Sequence, residues 1–296
     1  MNRYIVKTKK QPGIDEGALK RKKQSVQKFH DLKTGVKITS QKQLICEENI
    51  RKVDGVDHDT SELKKTAELI DPYSSYLYKN LDLAFPSVRT DNLQWRKISK
   101  DNLDLDYTLL FPRNVANALV QVFEKELDYF TGTLAKVKIF GKWHDIPRKQ
   151  ATYGDPGLTY KYSGIKTPAR PWPQPLEAVR ELVCKVTGHK YNFVLVNRYK
   201  DGSDKMGEHK DDEKDLDAQT PIASVSLGQP RDFYFRHQDA RPPKKLNIDK
   251  VQLQLQHGSL LLMNPPTNQY WYHALPPRKS APGIRINLTF RKIIQN

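Results

Sequence analysis

The segment GEHKDDE places His209 and Asp211 two residues apart. If this segment is extended, both side chains project from one face with their backbones about 6 to 7 Å apart, close enough to reach one ion. His273, in QYWYHALP, supplies a second imidazole. Two histidines and one carboxylate on one face of an octahedron leave three positions open, as a non-haem Fe(II) oxygenase needs for a co-substrate and O2. The chain has eight histidines, so ordinary surface or core histidines would also explain this spacing.

The segment RINLTFR carries two arginines on a pattern typical of a β-strand, in which alternate side chains share a face. The apolar face has Ile284, Ile286, Leu288 and Phe290, and the polar face has Arg285, Asn287, Thr289 and Arg291. A guanidinium binds a carboxylate through two hydrogen bonds, and a dicarboxylate co-substrate needs a partner at each end. The strand therefore indicates a dicarboxylate site. The alternative is an exposed edge strand whose arginines face water.

A second strand-like run, YNFVLVNRY at 191–199, leads into the segment that holds the first histidine. Its odd positions place Asn197 and Tyr199 on the same face as Phe193 and Leu195. An amide and a phenol can both hydrogen-bond an oxoacid. We therefore predict that Asn197 and Tyr199 add a third polar patch to the same pocket.

The remaining pattern predicts the elements that position these side chains. Apolar residues at helical spacing predict amphipathic helices at 113–130 and 176–187, the second ending at Gly188. Strand-like runs lie at 191–199, 222–228, 231–236, 251–255, 258–263 and 284–292. Helices followed by many short strands favour an α+β protein, a β-sandwich or jelly roll backed by helices, over a βαβ wound sheet.

Composition predicts the kind of partner and the compartment. A net charge of +16 and a pI near 9.6 favour a polyanionic partner, with nucleic acid ahead of a membrane surface. Cys46 and Cys184 are the two cysteines; they form no disulfide framework and fit a reducing compartment. No apolar run approaches the roughly 18 to 20 residues of a membrane-spanning helix. The pattern predicts a soluble intracellular protein without membrane contact.

Residues 1–90 are rich in Lys, Gln, Ser and Asp, and their apolar residues keep no sustained period. Such a segment cannot bury enough surface to fold, so we predict a mostly disordered basic arm ahead of a folded domain at 91–296. The basic run at 20–23 fits a nuclear import signal or a phosphate-binding arm, and a solvated charge cluster explains it equally well. Its place beside a basic domain favours the nucleus.

Four segments resemble the AlkB family and follow the family's order: NRYKDGSDKMGEHKDDE, PIASVSLGQPRDFYFRH, HGSLLLMNPPTNQYWYHALP and RINLTFRKI. The resemblance runs from about Trp95 to the C-terminus. It implies a double-stranded β-helix that binds Fe(II), 2-oxoglutarate and O2. The implied iron ligands are His209, Asp211 and His273, and the implied 2-oxoglutarate residues are Asn197, Tyr199, Arg285, Asn287 and Arg291.

The stretch KIFGKWHDIPRKQATYGDPGLTYKYSG is similar to the eukaryotic AlkB members that repair double-stranded DNA. The implied reaction hydroxylates the methyl group of N1-methyladenine or N3-methylcytosine and releases formaldehyde. Because a base inside a duplex must be flipped out, Phe140 would fill the gap as an aromatic finger. On the residues alone, an aromatic in a VKIF run is more typical of a core. The other implied contacts are Arg148 to the opposite strand, Tyr160, Tyr162 and His209 around the base, Glu213 at its exocyclic group, and Arg278 and Lys279 at phosphates.

The N-terminus holds a short pattern of basic, aromatic, aliphatic, aliphatic and basic residues: Arg3, Tyr4, Ile5, Val6 and Lys7. This pattern resembles a motif that docks on the sliding clamp PCNA, although five loosely defined positions also match by chance. We expect a monomer that acts on alkylated double-stranded DNA. Two alternatives stay open: a related oxygenase of single-stranded DNA or RNA, and a basic nucleic-acid-binding module without catalysis.

Overall fold

The computed structural model describes Phe85 and residues 88–139, 141–162 and 165–294. The predicted clamp-docking motif, the basic run at 20–23 and Phe140 lie outside the described residues. In chain order the elements are β1 (Arg96–Lys100), β2 (Leu103–Leu109), α1 (Arg113–Glu126), a 3-10 turn (Gly132–Ala135), β3 (Lys136–Ile139), β4 (Lys142–Asp145), β5 (Lys149–Gly154), β6 (Thr159–Tyr162), β7 (Ile165–Pro168), α2 (Gln174–Thr187), β8 (Phe193–Tyr199), β9 (Met206–His209), β10 (Ile222–Gly228), β11 (Arg231–His237), a 3-10 turn (Gln238–Ala240), β12 (Val251–Leu255), β13 (Ser259–Met263), α3 (Thr267–Tyr270), β14 (Trp271–Leu275) and β15 (Arg285–Arg291).

The strands form two antiparallel sheets and two small hairpins. The major sheet has the order β1-β2-β13-β10-β15-β8-β5, and the minor sheet has the order β12-β11-β14-β9. An apolar cluster joins the two sheets, with Leu105 and Leu261 from the major sheet and Phe235 and Trp271 from the minor sheet. Two antiparallel sheets around one interior are the predicted jelly roll.

Helices and strands are interleaved along the chain, contrary to the predicted order in which the helices come first. β1 and β2 precede α1, and five strands lie between α1 and α2. Several of these strands escaped prediction because they lack alternating apolar residues. In β4, for example, all four residues are exposed.

α1 and α2 pack against one face of the major sheet and form the outer core with it. α1 buries Val115, Leu119 and Phe123, as the helical spacing predicts. It is shorter than predicted because Leu127 is extended, with φ −87° and ψ 122°. α2 ends at the predicted Gly188, whose φ of 74° is a left-handed conformation that glycine adopts without a Cβ clash.

Two side chains from upstream of residue 91 also belong to this outer core. Phe85 and Val88 pack against it, and the Phe85 ring lies 6.2 Å from the Phe111 ring in an edge-on arrangement. The packed core therefore reaches into the segment predicted as an arm. No helix in the described part of the chain is long and apolar enough to cross a membrane.

Candidate active site

β15 supplies the polar wall of a cavity between the two sheets. It lies between β10 and β8, and all seven of its residues are buried. Ile286, Leu288 and Phe290 belong to the outer core, whereas the intervening polar residues line the cavity. The predicted division of faces is confirmed, and the alternative of an exposed edge strand is wrong.

The cavity contains about 360 Å³ of space not filled by atoms, part of which is open to solvent. All eight residues predicted for iron and 2-oxoglutarate line it. The fold thus brings together side chains that are up to 94 positions apart, from Asn197 to Arg291.

His209, Asp211 and His273 come together where β9 pairs with β14. The two histidines are direct partners in that pairing, and their ring centroids are 4.2 Å apart. Asp211 follows β9 by two residues, and its carboxylate oxygens lie 3.8 Å from His209 Nε2 and 3.9 Å from His273 Nε2. The three ligand atoms lie within 4.8 Å of one another, and no other such group occurs among the described residues. This donor set can hold a divalent metal and leave positions open.

Burial and neighbouring charges keep two of these groups in the form that binds a metal. Burial, helped by the adjacent His209 ring, lowers the pKa of His273 to about 3, so its imidazole is neutral. Burial opposes ionisation of Asp211, but Arg291 and the two histidines outweigh it and lower the pKa of Asp211 to about 2. His209 Nδ1 contacts the Gly207 carbonyl at 2.9 Å, which leaves Nε2 facing the carboxylate.

Arg291 connects the metal ligands with the rest of the cavity. Its Nη2 donates to Asp211 Oδ1 at 3.0 Å, and the two side chains are 2% and 5% exposed. The guanidinium also lies over the Tyr160 ring, 5.2 Å from its centroid. Its Nε and Nη1 have no hydrogen-bond partner among the described residues. These two groups remain available to an anion in the cavity.

Arg285 lies at the opposite end of β15 and forms no ion pair with any described acidic residue. Its Nη2 donates to Ser226 Oγ at 2.9 Å, while Nε and Nη1 have no partner. Burial lowers the pKa of Arg285 to about 10. A buried cation without a counter-ion is unfavourable, and a bound carboxylate would supply one. Two guanidinium groups with unpartnered donors in one cavity therefore fit a dicarboxylate such as 2-oxoglutarate.

Two asparagine amides in the cavity are held by protein partners. Asn197 Oδ1 accepts from Arg148 Nε at 2.7 Å and from Gln150 Nε2 at 3.0 Å. Asn287 Nδ2 donates to Ser224 Oγ at 2.9 Å and to a backbone carbonyl of β10 at 2.8 Å. Because these side chains are fixed by neighbours, the cavity is organised before any ligand binds.

Tyr160 and Glu213 lie beside Arg291. The Tyr160 hydroxyl donates to Glu213 Oε1, and the Tyr160 ring is 5.1 Å from the Phe193 ring. Tyr160 is only 2% exposed, so it has no open stacking face, and its predicted contact with a flipped base stays a prediction. Burial raises the pKa of Glu213 although Arg291 opposes this, and Glu213 Oε2 has no partner. The side chain of Tyr162 lies outside the described residues.

The basic residues predicted to contact DNA occupy different settings. Arg148 is engaged with the cavity amide described above, so its side chain is directed to the cavity wall. Arg278 Nη1 donates to both oxygens of Asp232, at 3.1 and 3.0 Å. Lys279 is exposed. Their contacts with DNA stay predictions.

Some residues that hold the cavity side chains were not predicted from the sequence. Ser224 and Ser226 in β10 hydrogen-bond Asn287 and Arg285, respectively, and Gln150 in β5 hydrogen-bonds its register partner Asn197 on β8. A signal existed for the two serines. In IASVSLG they alternate with apolar residues, so they share one face of a buried strand.

The triad and the paired arginines define a class of enzyme that uses Fe(II) and 2-oxoglutarate. A family model of the 2OG-Fe(II) oxygenase superfamily matches residues 110–291. That match begins just after β2 and ends at the last residue of β15, so it contains the whole cavity.

Similar proteins narrow this class. The Mus musculus protein named DNA oxidative demethylase ALKBH2 is 57% identical over 201 residues, which cover 68% of this chain and 84% of that protein. The Homo sapiens protein of the same name is 55% identical over 203 residues, covering 68% and 77%. Alpha-ketoglutarate-dependent dioxygenase alkB homolog 3 of Rattus norvegicus is 35% identical over 153 residues, covering 50% of each chain. The chain belongs to the AlkB family within the 2OG-Fe(II) oxygenase superfamily.

Proposed function

We propose that this chain is a DNA oxidative demethylase that removes N-alkyl groups from damaged bases in duplex DNA. The observation that carries the proposal is the 57% identity to mouse ALKBH2, whose name states DNA oxidative demethylation. The substrates proposed are N1-methyladenine and N3-methylcytosine. The products are the restored base and formaldehyde.

The cavity residues divide the work of holding the reactants. His209, Asp211 and His273 would hold Fe(II), and Arg285 and Arg291 would each neutralise one carboxylate of 2-oxoglutarate. With O2, the bound metal and co-substrate supply the oxidising chemistry that hydroxylates the alkyl carbon. Every residue of β15 is buried, so its two arginines would meet the co-substrate in the interior of the domain.

The acidic side of the site suits an alkylated base. Alkylation at N1 of adenine or N3 of cytosine gives the base a positive charge and blocks Watson–Crick pairing. A base that cannot pair is easier to flip out of a duplex. Glu213 has an oxygen without a hydrogen-bond partner, and we propose that this oxygen accepts from the exocyclic amine of the flipped base.

The net charge of +16 supports DNA as the partner, because cationic side chains displace counter-ions from the phosphate backbone. Lys279 would contact a phosphate directly, and Arg278 would exchange its bond to Asp232 for one to a phosphate. We also propose that the protein is a nuclear monomer whose segment Arg3–Lys7 docks on PCNA.

The test is formaldehyde release from a duplex oligonucleotide that carries one N1-methyladenine. Release should require added 2-oxoglutarate and should vanish in Asp211→Ala, which retains its affinity for DNA because phosphate contacts lie elsewhere. No release from duplex or single strand would refute the proposal. Release from single-stranded substrate alone would favour the alternative of a single-strand oxygenase.

The duplex assignment has its own test in Phe140→Ala. An aromatic that fills the vacated site offsets part of the cost of unstacking, and a single strand has no such vacancy. Activity on methylated duplex should fall more than tenfold, corresponding to about 1.4 kcal/mol, with a much smaller loss on single strands. Arg285→Ala is the control and should impair both substrates alike. Equal losses in Phe140→Ala, together with a lower Tm, would identify Phe140 as a core residue.

A further inference from the structure

Arg231, the first residue of β11, is a buried cation outside the predicted site. It is 1% exposed, and its side chain points into the jelly roll with the other odd-numbered residues of that strand. Its Nη1 donates to the Asp201 carbonyl at 3.1 Å, and its Nη2 donates to the carbonyls of Asp204 and Pro276 at 2.9 and 2.8 Å. Its Nε has no partner.

Arg231 and the cavity residue Arg285 lie against the same aromatic ring. The guanidinium carbon of Arg231 is 6.0 Å from the centroid of Tyr199, and that of Arg285 is 5.2 Å from it. Burial lowers the pKa of both guanidinium groups, and the positive charge of Arg231 lowers the pKa of Arg285 further. Neither forms an ion pair with a described acidic residue. Two buried positive charges therefore lie at or just behind this end of the cavity, and no described carboxylate forms an ion pair with either of them.

The three carbonyls around Arg231 do not by themselves explain a cation at this position. The carboxylates of Asp204 and Asp232 favour the charge of Arg231, but neither forms an ion pair with it. A second buried cation beside Arg231 adds a cost that the neutral carbonyl acceptors do not remove. An anionic ligand would offset that cost, because its negative charge attracts both guanidinium groups. Both groups would therefore raise the affinity of the cavity for the anion. The carboxylate bound by Arg285 is the anion that belongs at this end.

We propose that Arg231 is a positioning residue for 2-oxoglutarate. Arg231 holds the Tyr199 ring in place and keeps the Arg285 end of the cavity electropositive. Its consequence is selectivity for a dicarboxylate over an oxoacid that lacks the second carboxylate. The inference rests on 2-oxoglutarate as co-substrate and is independent of whether DNA is the substrate. Arg231 acts through its neighbours, since it does not line the cavity itself.

The experiment compares two ligands that differ only at the far end. The Kd values of 2-oxoglutarate and of 2-oxopentanoate, which has a methyl group in place of the far carboxylate, are measured calorimetrically on full-length, Mn(II)-loaded protein without DNA. Arg231→Met should weaken 2-oxoglutarate binding about tenfold or more and 2-oxopentanoate binding less than twofold. Equal weakening of both ligands, or unchanged binding of 2-oxoglutarate, would overturn the proposal and leave Arg231 as a structural clamp.

Two further variants separate charge from folding. Arg231→Lys keeps the charge but loses the fork geometry, so it should lower the Tm while retaining most of the preference for the dicarboxylate. Loss of that preference in Arg231→Lys would contradict a role for the charge, even if Arg231→Met does not fold. The matched control is Arg198→Met on β8, which breaks a 2.6 Å ion pair with Glu124 of α1. It should lower the Tm and leave the ratio of the two Kd values unchanged.

Discussion

The buried pair of Arg291 and Asp211 gives the sharpest prediction about stability. Replacing Arg291 with Met in the metal-free protein removes the cation that lies 3.0 Å from the Asp211 carboxylate. That carboxylate, which is only 5% exposed, then lacks its cationic partner. Breaking a buried pair by removing one partner costs about 3 to 5 kcal/mol, because the remaining charge is uncompensated. For a domain of this size each kcal/mol lowers the Tm by about 2 to 4 °C, so the Tm should fall by about 6 to 20 °C.

The assay is thermal unfolding of the metal-free wild type, Arg291→Met, Asp211→Asn and the double variant. Removing both charges should recover most of the stability lost in Arg291→Met, because no buried charge then lacks its partner. Saturating Mn(II) should also stabilise Arg291→Met, since it binds the native carboxylate and supplies positive charge. A loss below about 1 kcal/mol in Arg291→Met, or a double variant no more stable than the single one, would refute this reasoning.

Three more outcomes are expected. Deleting residues 1–84 should leave turnover of a short oligonucleotide nearly unchanged. Deleting residues 1–90 should lower the free energy of unfolding by about 1 to 2 kcal/mol in thermal melts, because Phe85 is lost from the core. Equal melts for the two deletions would contradict this packing. Pull-down of PCNA should fail when Tyr4 and Ile5 are both replaced by Ala. If the double variant still pulls down PCNA, the segment is not a docking motif. Affinity for duplex DNA should fall steeply between low and physiological salt, and a flat dependence would argue against phosphate contacts.

The strands that could be predicted are those with a repeated apolar face. β10, β12 and β15 follow the predicted runs closely because apolar residues recur at every second position. β4 lacks alternating apolar residues and all four of its residues are exposed, so its sequence does not distinguish it from a loop, whereas the VKIF run that overlaps β3 is strand-like. α1 ends earlier than its apolar spacing predicts: Phe130 keeps the helical spacing, but its backbone N–H donates to the carbonyl of Gln150 in β5.

The candidate site was predictable where residue type and spacing coincide. His209 and Asp211 are two apart on an extended segment, but their meeting with His273 depends on the pairing of β9 with β14, which the sequence does not reveal. Arg231 escaped prediction because PRDFYFR is equally compatible with a surface arginine at the start of a strand. The available signal was that Arg231 is two residues from Phe233 in a strand, so the two side chains share a face. A residue that shares a face with buried aromatics faces the interior.

The charges around the cavity suit the two proposed ligands, which are opposite in sign. A dicarboxylate needs cations and an alkylated, positively charged base needs acceptors, and one uniform cavity would repel one of the two. Along β15 the charges are separated: Arg285 lies at one end without an acidic partner, whereas Arg291 lies at the other end beside Asp211 and Glu213. Arg291 thus compensates the acidic side and still keeps two unpartnered donors for the co-substrate. Because one guanidinium serves both sides, a change at Arg291 should disturb folding, metal binding and co-substrate binding together, whereas a change at Arg285 should disturb the co-substrate alone.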